Sequence, residues 1–231
     1  MKPAGVDVIA IDGPGGVGKS TTGKRLAERL GYYFLSSGMI YRAMAWHLLS
    51  LGWRVESGAP SADEVELALN GMEIRVAAGG RVWVGEKDVT DALRDEEVSG
   101  AASILSALPA VRARCNQIQR KTVAGIGATG AYPGVVLEGR DIGTVVYPDA
   151  PHKFFLTARE EVRAQRRFAE LHGADPQATL GSVREALLER DARDAGRALA
   201  PLIPAPDARI VDTSDLTLEQ VLDGILADLR A

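Results

Sequence analysis

Eight consecutive residues near the start of the chain, Gly13-Pro14-Gly15-Gly16-Val17-Gly18-Lys19-Ser20, fit the spacing G-x-x-x-x-G-K-[ST]. Residues of these types in this order do phosphate chemistry. Glycines let backbone N–H groups turn inward around a phosphate chain, where side chains would block the approach. A helix beginning near Lys19 brings its positive dipole end to the same place. Lys19 is then placed to reach the β- and γ-phosphates of a nucleoside triphosphate, and the Ser20 hydroxyl to hold Mg²⁺. With Thr21 at the head of the helix, residues 13–21 form the expected ATP-binding stretch.

That loop accounts for a phosphoryl donor and leaves the acceptor open. Four arginine-bearing places bear on it. Arg42 follows Ser37-Gly38 and Tyr41. Arg140 sits in Glu138-Gly139-Arg140-Asp141-Ile142-Gly143. Arg159, Arg163, Arg166 and Arg167 are spaced to gather on one helix face. Arg190, Arg193, Asp194 and Arg197 fall within about a 100° arc if their segment is helical, at 3.6 residues per turn. A solvated charged face is the ordinary reading of such helices. Like charges at helical spacing nevertheless repel by a few tenths of a kcal/mol per pair. A pair of substrates carrying several phosphates would neutralise them, and the planar guanidinium fork suits two phosphate oxygens at once.

The elements that must position these groups are legible as an alternation of strands and helices. Val8-Ile9-Ala10-Ile11-Asp12 is an apolar run of strand length, and the helix after the loop stops at Gly31. Residues 32–35 read as a second strand, residues 39–51 as a helix with a serine cap, and 61–70 as a short helix opened by a capping box. Residues 72–76 and 82–84 alternate with period two around Gly79-Gly80, a hairpin, with a third short strand near 87–89. Residues 91–108 and 109–124 read as two helices divided by Pro109, and 125–134 as a loop. Strands at 135–137, 153–156 and 209–212 follow, with helices at 158–171, 180–195 and 216–229. Five apolar strands separated by helices imply an open parallel sheet covered on both faces. The expected fold is therefore a P-loop three-layer α/β/α domain with a five-stranded parallel sheet, carrying a small antiparallel insert. Ligands of such sheets bind beyond the carboxyl ends of the strands, where Asp12, Ser36, Glu138 and Thr157 lie.

Composition narrows the field. With 231 residues, 46 % hydrophobic and 25 % charged, the chain suits one large α/β domain. A formal charge of −4 shows no basic field for nucleic acid or an acidic membrane. A single cysteine, Cys115, allows no internal disulfide and fits a reducing compartment. The first residues lack the apolar stretch of a signal peptide, and no run of about 18 apolar residues appears. A cytoplasmic monomer, with neither nucleic acid nor membrane as partner, is the expectation. His47, His152 and His172 show no ligand spacing, and Trp46, Trp53 and Trp83 read as packing of the insert.

The sequence resembles the bacterial cytidylate kinases over nearly its whole length. The resemblance rests on Ile11-Asp12-Gly13-Pro14 with the loop, on Ser37-Gly38 followed by Tyr41-Arg42, and on Ala101-Ala102-Ser103. It rests further on residues 138–146, Glu-Gly-Arg-Asp-Ile-Gly-Thr-Val-Val, and on Arg190-Asp191-x-Arg193-Asp194-x-x-Arg197 with Ala200-Pro201-Leu202. It implies ATP-dependent phosphorylation of CMP and dCMP with Mg²⁺. It also implies a core at about 1–37 and 101–231, a monophosphate-binding insert at about 38–100 and a lid at about 158–174. By the same resemblance Ser103, Arg112 and Asp141 would contact the cytosine, and Ser37, Arg190 and Asp194 the ribose side, with Tyr41 in the same acceptor site. Arg42, Arg140 and Arg197 would grip the acceptor phosphate, while Lys19, Arg140 and the lid arginines Arg163 and Arg167 would serve the transfer itself. Two positions depart from the pattern: Ser36 and Glu138 stand where other members carry Asp, and either could share a role with Mg²⁺ or its water shell. A kinase for UMP, dTMP or a hydroxyl acceptor, a nucleotide-dependent switch and a nucleic-acid-dependent ATPase are the competing readings. The Asn-Lys-x-Asp signature of the second and the basic surface of the third are absent from the sequence.

Overall fold

A computed structural model describes residues 5–171 and 178–230. Strands β1 (Asp7–Asp12), β2 (Tyr33–Ser36), β6 (Gly134–Glu138), β7 (His152–Thr157) and β8 (Arg209–Asp212) form one sheet in the order β2-β6-β1-β7-β8. Every pairing in it is parallel. The P-loop strand β1 is therefore central, with β6 on one side and β7 on the other.

Because side chains alternate along a strand, each strand feeds two cores. Val8, Ala10, Leu35, Val135 and Leu137 face one side, where they pack with α2 (Ser37–Ser50), α4 (Glu96–Leu105) and α5 (Pro109–Thr129). Ile9, Ile11, Phe34, Val136, Phe154 and Leu156 face the other, against α1 (Lys19–Leu30) and α8 (Leu218–Asp228). This is the three-layer α/β/α arrangement expected from the alternating pattern. The last two helices of the site, α6 (Glu160–Leu171) and α7 (Leu180–Ala195), pack on each other through a small cluster of Ala164, Val183 and Leu187. The expected lid runs to about residue 174, so its last residues, with His172, lie outside the described ones.

The insert contains α3 (Ala62–Leu69), opened by the Ser61/Glu64 capping box, and the antiparallel sheet β3 (Ile74–Val76), β4 (Val82–Val84) and β5 (Lys87–Asp88). Its Val76, Val82 and Val89 join the same core as Val8 and Leu35, so the insert and the main sheet share one apolar interior. Trp46 and Trp53 pack against that core, and Trp83 lies under the Arg75 guanidinium, 3.9 Å from the ring centre.

Two local expectations fail, and one turn appears that no expectation covered. The segment expected to be one helix over 91–108 is a 3₁₀ turn at Ala92–Arg94 followed by α4. The break falls at Asp95, whose extended backbone lets its carboxylate cap the N–H of Glu97 at 2.8 Å. The loop expected over 125–134 is largely helical: α5 runs on to Thr129, because Ile126 buries against the core, and stops at Gly130 in the left-handed conformation. Finally, Ile142–Val146 winds into a π-helical turn, closed by the Tyr147 N–H on the Ile142 carbonyl at 2.7 Å. Its cause is distant in sequence. The buried carboxylate of Asp12 accepts the N–H groups of Ile142, at 2.9 Å, and Gly143, at 2.8 Å.

Candidate active site

The loop between β1 and α1 takes its shape from two close approaches. At Gly13 (φ 144°) a Cβ would stand 2.2 Å from the Leu156 carbonyl oxygen, so β7 lies too near for any side chain. At Gly16 (φ 73°) a Cβ would lie 2.7 Å from the Arg163 carbonyl oxygen, because α6 crosses directly over the loop. Lys19 is buried in the first turn of α1, and its Nζ donates to the Pro14 carbonyl at 2.6 Å. The Ser20 hydroxyl donates to Glu138 Oε1 at 3.1 Å, and that same oxygen accepts from the Ser36 hydroxyl. Ser36 in turn accepts the Met39 N–H as the N-cap of α2. Two serines, one in the first turn of α1 and one at the end of β2, thus orient one buried carboxylate beside the loop.

Facing the loop is a second set of groups from α2, α4, α5, the turn after β6, and α7. Arg112 on α5 forms a buried ion pair with Asp141 and donates to the Ser106 carbonyl at 3.1 Å. Arg140 Nε pairs with Asp194 at 2.9 Å, and Arg197 also pairs with Asp194 while donating to the Ser106 hydroxyl at 2.7 Å. Arg167 of α6 reaches across to Glu96 of α4 at 2.6 Å. Arg42 and Arg190 differ from these. Among the described residues neither has a carboxylate within ion-pair distance, and Arg190 Nε is buried without a hydrogen-bond partner.

One cleft brings most of the sequence-predicted residues together. Gly15, Gly16, Gly18, Lys19, Ser20 and Thr21 line its donor half. Ser37, Tyr41, Arg42, Arg112, Arg140 and Asp141 line the other, with Arg167, Arg190, Asp194 and Arg197 closing it. Gly13, Pro14 and Val17 form the back of the loop and do not line the cleft. Neither do Ser103, whose hydroxyl is buried without a partner, and Arg163, which lies behind Gly15 and Gly16.

Comparison with known proteins shows the family. The family model described as cytidylate kinase matches residues 9–231. The chain belongs to the cytidylate kinase family. A Streptomyces avermitilis protein named cytidylate kinase is 44 % identical over 224 residues, spanning 95 % of this chain and 90 % of the relative. Relatives of the same name from Desulfitobacterium hafniense and Chromobacterium violaceum are 44 % and 41 % identical, covering 95 % and 96 % of this chain and 90 % and 94 % of their own. Among solved structures, an uncharacterized protein from Eubacterium ventriosum aligns over 97 % of this chain and 98 % of its own with a TM-score of 0.50. At 14 % identity that likeness shows the fold alone.

The cleft of this cytidylate kinase family member is electrostatically crowded. Burial, then the neighbouring Arg140 and Arg190, pull the Lys19 ammonium down to about 7, against the opposing pull of Glu138 and Asp12. Burial and then Arg140 bring Arg190 down to about 9, with Arg42 and Arg167 adding to the effect and Asp194 resisting it. Arg42 is lowered by burial first and by Arg167 next. Cations that burial first, and like-charged neighbours second, hold at a disadvantage suit a site for anions.

Three contributors escape sequence reasoning. Ser106 lines the cleft one helical turn beyond Ser103, and its hydroxyl receives Arg197. Only its i,i+3 relation to Ser103 hints at this. Asp12 stands outside the loop pattern but fixes the turn that follows Arg140 and Asp141. Asp191, inside the Arg/Asp cluster, bonds the loop tip rather than the acceptor half. No local signal distinguishes it from Asp194.

Proposed function

We propose that this protein transfers the γ-phosphoryl group of ATP to CMP or dCMP. The observation that carries this reading is the apposition, in one cleft, of the phosphate loop with the Arg112–Asp141 pair and the cluster of Arg42, Arg140, Arg190 and Arg197. A phosphoryl acceptor with a polar base fits those two features together.

On this reading ATP lies along residues 13–21, with Lys19 at its terminal phosphates. The cytosine meets Asp141, whose carboxylate accepts from the exocyclic amino group, and Arg112, which donates to the ring oxygen and nitrogen. Ser103 is a turn away from Ser106 on α4, and the partnerless Ser103 hydroxyl is a donor that a small rotation of α4 would bring to the base. Ser37, Arg190 and Asp194 support the ribose side with Tyr41 in the same site, and Arg42, Arg140 and Arg197 surround the acceptor phosphate. That phosphate has a second pKa near 6, so it is already anionic at pH 7 and needs no general base. Catalysis is then alignment of two phosphates plus neutralisation of charge by Lys19, Arg140, Arg163 and Arg167. Closure of α6 over the loop excludes water that would otherwise hydrolyse ATP.

The residues present fit Mg²⁺: the Ser20 hydroxyl and the Glu138 carboxylate are hard oxygen donors side by side, and Ser36 orients that carboxylate. When bound, Mg²⁺ would neutralise charge on the β- and γ-oxygens. Glu138 with Ser36 would thereby serve at positions where some members of the family carry Asp.

The test is ADP release by the purified protein with ATP and each nucleoside monophosphate in turn. CMP and dCMP should support turnover far above UMP, dTMP, AMP and GMP. Turnover with UMP or dTMP alone, or ATP hydrolysis indifferent to every monophosphate, would refute the assignment.

A further inference from the structure

Asp191 belongs to none of the roles above, yet it ties three parts of the site together. Its Oδ1 accepts the Gly15 N–H at 3.2 Å, and its other carboxylate oxygen pairs with the Arg163 guanidinium. The same Arg163 nitrogen also donates to the Gly15 carbonyl at 3.2 Å. Loop tip, lid helix and α7 therefore meet in a closed ring of three contacts. Both charged side chains are mostly out of water, 10 % exposed for Arg163 and 16 % for Asp191. Leu187, one turn before Asp191 on α7, packs on the same spot: a Cβ at Gly15 would be 2.8 Å from its Cδ2. The arc of α7 carrying Leu187 and Asp191 thus abuts the donor loop. The adjacent arc carrying Arg190 and Asp194 lines the cleft.

We propose that Asp191 is a positioning residue for phosphoryl transfer, holding the tip of the phosphate loop and the lid guanidinium of Arg163 in one fixed arrangement. This rests on the reading of the cleft as an ATP:CMP phosphotransferase site with Arg163 on the donor side. An isolated carboxylate between two helices would only add stability. Here its two oxygens are divided between the backbone of the donor loop and a side chain of the lid. Removing it loosens both at once and leaves the Arg163 guanidinium, whose Nε is already without a partner, only the Gly15 carbonyl to align it. Helix α7 then acts as a splint, with acceptor contacts on one arc and donor-loop contacts on the next. Since Asp191 works through Arg163, its loss matters only while Arg163 is present.

The experiment is a double-mutant cycle on the full chain with Asp191→Ala, Arg163→Ala and the pair, reading kcat and the KM values for ATP and CMP. Asp191→Ala should lower kcat by at least about tenfold, a smaller loss than the roughly 10³–10⁵ that removal of a transition-state arginine itself can cause. It should leave the KM for CMP within about twofold, and the double variant should be no slower than Arg163→Ala alone. Asp191→Asn, which keeps one oxygen for the Gly15 N–H, guards against a folding failure. It should show the same drop in kcat with a melting temperature close to that of the parent. Losses that multiply in the double variant, a full-rate Asp191→Asn protein, or an effect confined to the KM for CMP would overturn the inference while leaving the phosphotransferase reading intact. Absence of CMP-dependent transfer by the parent protein would overturn both.

Discussion

Lys19 is buried among charges of both signs, and burial above all loosens its proton. Burial and the nearby arginines hold its pKa near 7 instead of the ordinary 10.5. At pH 8 most molecules of the ligand-free protein therefore carry a neutral Lys19. A triphosphate placed against the ammonium favours the charged form and raises its pKa again. Binding of ATP at pH 8, where the nucleotide is already fully ionised, should take up a fraction of a proton approaching one. Calorimetry in buffers of different ionisation enthalpy measures this directly. Uptake should vanish in Lys19→Met, and proton release on binding to the parent would contradict it. A second residue-scale expectation concerns Ala200, a non-glycine residue with positive φ (53°), just after Arg197. A left-handed alanine costs roughly 1–2 kcal/mol, partly offset in glycine by its greater unfolded-state freedom. Ala200→Gly should raise stability by about 0.5–1 kcal/mol in urea denaturation, with little change in turnover.

Among the elements, the π-helical turn at Ile142–Val146 depends most on a single distant group. Asp12, at the carboxyl end of β1, satisfies two of its N–H groups and so fixes the path of the chain just after Arg140 and Asp141. Asp12→Ala would orphan both donors at about 1–3 kcal/mol each. Burial also raises the Asp12 pKa from 3.8 to about 6, its two N–H partners notwithstanding. The folded state thus binds more protons than the unfolded between those values. The contribution of Asp12 to stability is fully present below the unfolded pKa and is lost as pH rises through 6, by up to about 3 kcal/mol. The stability gap between the parent and Asp12→Ala should accordingly be wider at pH 5 than at pH 7. A gap that widens with rising pH would contradict the assignment. This turn also shows where sequence reading stops. The phosphate loop, the Gly31 stop, the Ser61 capping box and the hairpin are written in contiguous residues, and they appear where the pattern puts them. The π turn, the break at Asp95 and the extension of α5 through two glycines to Thr129 depend on partners or burial that no local window contains. The site divides the same way. Types and spacing single out Lys19, Arg140 and Arg197, whereas Ser106, Asp12 and Asp191 gain significance only from what the fold sets beside them.

Over the whole molecule the net charge is −4, yet the cleft gathers Lys19, Arg42, Arg140, Arg167 and Arg190 with too few carboxylates to balance them. The fold bears that imbalance for the sake of binding anions. Arg190 shows it most clearly. It is half-buried with its Nε shut away from water, has no ion-pair partner among the described residues, and its pKa falls from 12.5 to about 9. A shift of that size disfavours the charged form by on the order of 4–5 kcal/mol. Relaxation and hydration of the neighbours reduce what a substitution can recover. Arg190→Met, which fills the space without the charge, should stabilise the ligand-free protein by about 1–3 kcal/mol, a rise of a few degrees in Tm. On the proposed reading the same change removes a charged donor from the ribose side of the acceptor site, so the KM for CMP should rise about 10–100-fold, with the KM for ATP much less affected. Saturating CMP, which neutralises the cluster in the parent, should reverse the order of the two melting temperatures. Scanning calorimetry with and without CMP makes the comparison. If the variant melted below the parent in the absence of nucleotide, the repulsion inferred among these arginines would be too weak to shape the site.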